Sequence, residues 1–267
     1  MGVLWVTVFV LSLGGCATMR ASDLSVSILV DLDPASVDRS VIVESITADK
    51  EGRLYVPDRV TGNILRVDPK SPKPVVVGRI EAREVSGKKI NADAAGLAFN
   101  SQGDFFIGVG PFSEVVRVRG ADLNPAKPGL AQTFATGTPG ANGIAFDRQG
   151  NLFVSGGTSG IVYRVSPNGG AAQAAAQIDK HARTLPDGKT QQANVANGVD
   201  FDAKGVLYVA DTARGAIWQV AIGADGKGGK PTVLAQSPLL EGERTASPSI
   251  VVASSGSQST SAMPSSR

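Results

Sequence analysis

Glu44, Ala95, Asn142 and Asn197 each stand eight residues before a glycine, these being Gly52, Gly103, Gly150 and Gly205. The position thus recurs four times and holds one carboxylate and two carboxamides. Brought to a point, such oxygens are hard donors that suit a divalent cation, Ca²⁺ above all, with water or substrate filling the remaining positions. A plainer reading stays open: Asn-Gly before a strand is ordinary turn chemistry, copied when a unit was duplicated. Glu44 has no such turn role.

What could bring these residues together is the repeat that surrounds them. VESITADKEGRLYVPDRVTGNILRV begins at Val43 and AAGLAFNSQGDFFIGVGPFSEVVRV at Ala94. ANGIAFDRQGNLFVSGGTSGIVYRV follows from Ala141, and ANGVDFDAKGVLYVADTARGAIWQV from Ala196. After each turn glycine the apolar residues alternate, as in Leu54 and Val56, Phe105 and Ile107, Leu152 and Val154, Leu207 and Val209, which is the period of a strand. A short strand precedes the turn, and a third ends at Val67, Val118, Val165 or Val220. A weaker fourth is written KPVVVGRI from Lys73 and KPTVLAQ from Lys230. Four antiparallel strands in roughly 50 residues describe a β-propeller blade, because one such sheet cannot cover its faces until neighbours stack on it. The first strand of a blade lines the central channel, so equivalent positions on it converge although far apart in sequence.

The rest of the composition bounds the function. Of 267 residues, 42% are hydrophobic and 19% charged, with 32 Gly and 15 Pro, a globular, turn-rich composition. A net charge of +2 gives no field to hold nucleic acid or an acidic membrane surface, so neither is an expected partner. The apolar run that opens MGVLWVTVFVLSLGGCATMR is too short to span a bilayer and has the form of a signal peptide. LGGC, ending at Cys16, resembles the lipobox of bacterial lipoproteins, whose cysteine is acylated. Cys16 is the only cysteine. Residues 1–22 are therefore expected to form a signal and anchor, with lipidation at Cys16 tying the protein to the bacterial outer membrane, facing the periplasm, and the lipid as its only contact with the membrane.

Glu44, Asn142 in ANGIAFD and Asn197 in ANGVDFD resemble the metal ligands of the gluconolactonase and regucalcin (senescence marker protein) family, and the resemblance covers roughly residues 26–242. That family implies a six-bladed propeller with a divalent metal in its channel, calcium being the expected ion, and hydrolysis of small-molecule lactones or related esters. The blade order is similar, the second blade contributing no ligand, as Ala95 does here. The family's fourth ligand, an Asp opening the fifth blade and held to be the catalytic base, has no counterpart. The chain from Glu243 reads ERTASPSIVVASSGSQSTSAMPSSR, with no acid after Glu243, and aligning Gly256 as a fifth turn glycine puts Pro248 in the ligand position.

The expected architecture is all-β: residues 23–242 as a propeller of the six-bladed type with about four recognisable four-stranded blades in an incomplete or open ring, and 243–267 as a disordered, Ser/Thr-rich tail. Two functions follow from different classes: a metal-dependent lactone or ester hydrolase whose base is missing, and a non-catalytic binding module of the cell envelope. Asp58 and Asp211 read as ties for the turns after the second strands, and Arg66, Arg117 and Arg164 as a solvated face. Strand is favoured over helix for Gly169 to Lys180, residues 179–193 read as an excess loop, and His181 within it as a solvated residue. Ser25 to Leu32 reads as a strand that could close the ring.

Overall fold

A computed structural model describes residues 27–32, 42–184 and 187–238. The signal and anchor with Cys16, and the tail from Glu243, lie outside the described residues. Four sheets, each with a four-stranded antiparallel core, follow one another along the chain, the first two extended by a short parallel fifth strand. The first holds β1 (Thr47–Ala48), β2 (Leu54–Pro57), β3 (Asn63–Asp68) and β4 (Ser71–Arg79). A hairpin of β5 (Arg83–Val85) and β6 (Lys88–Ile90) leads to the second, built from β7 (Ala94–Phe99), β8 (Phe105–Val109), β9 (Glu114–Val118) and, after the two-residue β10 (Gly129–Leu130), β11 (Gln132–Thr136). The third contains β12 (Ile144–Phe146), β13 (Leu152–Ser155), β14 (Ile161–Val165) and, after β15 (Gly170–Ala171), β16 (Gln173–Gln177). A second hairpin, β17 (His181–Thr184) and β18 (Thr190–Ala193), precedes the fourth sheet of β19 (Ala196–Phe201), β20 (Val206–Asp211), β21 (Ala216–Ala221) and β22 (Thr232–Gln236). The sequence around Gly169 to Lys180 is strand, as expected. The segment read as an excess loop is instead a paired hairpin, and residues 27–32 form no strand.

The turn between first and second strands repeats atom for atom. One side-chain oxygen of Asp49, Asn100, Asp147 or Asp202 accepts the amide N–H groups two and four residues on, at 2.8 to 3.1 Å. The following glycine takes a φ between 78° and 84°, a left-handed conformation that a side chain would strain.

The sheets stack as blades through a repeated aromatic contact. Tyr55 meets Phe99 at 4.9 Å and 75°, Phe106 meets Phe146 at 5.0 Å and 78°, and Phe153 meets Phe201 at 5.0 Å and 76°. In each case an aromatic from the second strand of one blade takes the ring of the next blade's first strand edge to face, the arrangement favoured by the ring quadrupoles. Three apolar cores result, one per junction, and among the described residues no such core joins the fourth blade to the first. Each blade also shields the outer edge of the one before: β10 pairs parallel with β4, β15 pairs parallel with β11, and the Gly228 amide donates to the Ala175 carbonyl of β16 at 2.7 Å. Unpaired edges invite association, and this lending covers them. All five residues of β22 are exposed.

Candidate functional site at the channel mouth

The recurring position sits where each first strand begins, and backbone hydrogen bonds join neighbouring copies. The Gly96 amide donates to the Asn142 carbonyl at 2.7 Å, and the Gly143 amide donates to the Asn197 carbonyl at 3.2 Å. Both glycines are sterically required. A Cβ on Gly96 would lie 2.0 Å from the Asn142 carbonyl oxygen, and one on Gly143 would lie 2.4 Å from that of Asn197. Gly96 and Gly143, each following a column residue, thus let adjacent inner strands approach, a packing role that turn chemistry alone does not give. Ala95 is buried, and Asn142 and Asn197 are half-buried.

Three further residues brace the inner strands. Ser155, fully buried, accepts the Gly143 amide at 2.8 Å and donates its hydroxyl to the Asn197 carbonyl. Asp58 and Asp211, 2% and 1% exposed, do tie the turns that follow them. Asp58 accepts the amides of Val60 and Thr61, and Asp211 those of Ala213 and Arg214. Each also accepts the amide two residues before its blade's column position, Ile42 at 3.2 Å and Val195 at 3.0 Å, so one carboxylate fixes both the turn and the start of the inner strand.

Glu44 is placed differently from the two asparagines. Its side chain is 14% exposed and ion-paired with Arg59, whose guanidinium pairs also with Asp93, two residues before Ala95. Burial pushes the Glu44 carboxyl above its ordinary range, and the Asp93 charge adds to that, while Arg59 pulls the other way. A divalent ion held by Glu44, Asn142 and Asn197 would have that carboxylate as its one anionic ligand. With Arg59 on it, the three residues do not fit a dication as they are arranged.

The remaining residues are not drawn into the site. His181 lies in β17 with Nε2 at 3.2 Å from the Ala213 carbonyl. Arg66, Arg117 and Arg164 are half-buried rather than a solvated face: Arg117 stacks on Phe134 at 5.6 Å, and Arg164 donates to Asn151 at 2.7 Å. Long side chains bury their stems at blade junctions while the charged heads find partners.

No protein-family profile matches the chain, and no curated protein matches its sequence. Solved structures do. A streptogramin B lyase superposes with a TM-score of 0.50 at 13% identity, over 73% of this chain and 55% of the lyase. A catalytically inactive virginiamycin B lyase from Staphylococcus aureus, with quinupristin, gives 0.52 at 13%, over 76% and 58%. A candidate gluconolactonase gives 0.50 at 15%, over 74% and 65%. The fold is a β-propeller. The two lyases and the candidate gluconolactonase share that fold with this chain. This chain spans between about half and two thirds of the length of these structures.

Proposed function

We propose that this chain is a ligand-binding propeller of the cell envelope, holding a polar small molecule of the sugar-lactone or ester class at the channel mouth through Asn142 and Asn197. The observation that carries this reading is the Arg59–Glu44 ion pair, which commits the one column carboxylate to an internal cation. Two half-buried carboxamides offer both donors and acceptors, which is what a hydroxylated ring with a carbonyl needs. Acylation of Cys16 would present the mouth in the periplasm at the outer membrane.

A second reading is a metal-dependent hydrolase of the same ligand class, favoured by Glu44, Asn142 and Asn197 sharing one column. It needs Glu44 released from Arg59 and a general base beside the bound ligand.

Ligand-detected NMR with a panel of aldonolactones and their open-chain acids tests the choice. The binding reading expects contact that persists in EDTA and weakens about tenfold in Asn197→Ala, the loss of roughly one good hydrogen bond. No binding by any member sinks it. Binding that requires calcium and Glu44 favours the hydrolase.

A further inference from the structure

We infer that Arg59 is a resident cation that excludes divalent ions from the channel mouth, and that its removal opens a cation site formed by Glu44 and Asp93. This rests on the metal-free binding reading above, and it brings in a carboxylate, Asp93, that the column position does not contain.

The guanidinium stands between two acids from different blades. Its hydrogen bond to Asp93 is the largest influence holding the Arg59 side chain above its ordinary range. Neither acid is neutralised by any other ion pair among the described residues. Without the guanidinium, two like charges would face each other across the gap it fills, one of them 14% exposed, a state relieved by a proton or by another cation. Asp93, at 45% exposure, leaves a way in from solvent.

Arg59 is also held in place. Its amide donates to the Ile42 carbonyl at 2.8 Å, and the preceding residue is the buried Asp58 that anchors the whole turn. A cation tethered through so short a segment acts at an effective concentration on the order of millimolar or above, which a dissolved ion must exceed. The other three copies place Gly110, Gly157 and Thr212 where Arg59 stands, so the charge belongs to the first blade, the one that carries Glu44.

The test is calcium titration by calorimetry of wild type, Arg59→Gln, Arg59→Ala, Arg59→Lys, Glu44→Gln and the double variant Arg59→Gln/Glu44→Gln, each checked for folding by far-UV circular dichroism. Arg59→Gln and Arg59→Ala are expected to bind one calcium at least about tenfold more tightly than wild type, in the roughly 0.1–1 mM range of weak extracellular sites. Arg59→Lys is expected to behave as wild type, and the double variant to lose what Arg59→Gln gained. A folded Arg59→Gln that binds no better than wild type overturns the inference and leaves the metal-free reading standing. Wild-type binding abolished by Glu44→Gln overturns both. If Arg59→Gln and Arg59→Ala both fail to fold, Arg59 is a structural tie and the inference falls.

Discussion

The amide of Gly143 donates to the carbonyl of Asn197 across 3.2 Å, and the buried hydroxyl of Ser155 binds both partners of that bond. Two inner strands from different blades are thereby fixed at a column residue. Substituting Gly143 by Ala puts a methyl 2.4 Å from the carbonyl. The expected cost is about 1–3 kcal/mol, as for other overpacked sites, read as a lower urea midpoint.

The aromatic contact gives a quantitative expectation for blade stacking. A double-mutant cycle on Phe153 and Phe201, each changed to Leu, should show a coupling of about 0.5–1.5 kcal/mol by denaturant unfolding. Tyr208 occupies the equivalent second-strand position of the fourth blade but is only half-buried. Tyr208→Leu is therefore expected to cost less than Phe153→Leu, and equal costs would count against the junction description.

Asp211 supports three amides and the indole N–H of Trp218, the latter at 3.3 Å. Asp211→Ala strands these donors and is expected to destabilise by about 3 kcal/mol. Trp218 emission should shift to the red. Asp211→Asn keeps one acceptor oxygen and should lose less.

How much of this was legible in the sequence depends on whether a residue repeats. The turn glycines, the strand alternation and the Asn142 and Asn197 column recur, so one pattern located them all. Phe99, Phe146 and Phe201 also recur at fixed spacing, and their pairing with the preceding blade follows once blades are stacked. Arg59 and Ser155 do not recur. Each answers a need at one junction, and a search for repeated positions has no means of finding a residue whose value lies in being different. The hairpin after β16 was hidden for another reason: TLPDGKT reads as loop, and only the paired strands on either side of it make it a hairpin.

Two glutamates should respond to pH with opposite sign. Hydrogen bonds from the Arg83 guanidinium hold the Glu114 carboxyl below its ordinary value of 4.5. A carboxyl depressed in the folded state adds stability above its unfolded value and loses it as pH falls through the folded one. Glu114→Gln should therefore flatten the drop in Tm below about pH 4.5, within that acid window. For Glu44, burial raises the value, so its contribution is lost as pH climbs through the folded value. Glu44→Gln, neutral at every pH, is expected to have a Tm at pH 7 no lower than wild type; a clear drop would mean that the Arg59 pair outweighs burial.

The most direct test of the central claim, that the channel mouth binds its ligand without a metal, is turnover and binding of aldonolactones measured side by side in calcium and in EDTA. Equal binding is expected in the two conditions, weakened by Asn142→Ala and Asn197→Ala, with no enzymatic hydrolysis in either. Hydrolysis that EDTA abolishes and Glu44→Ala removes would contradict it.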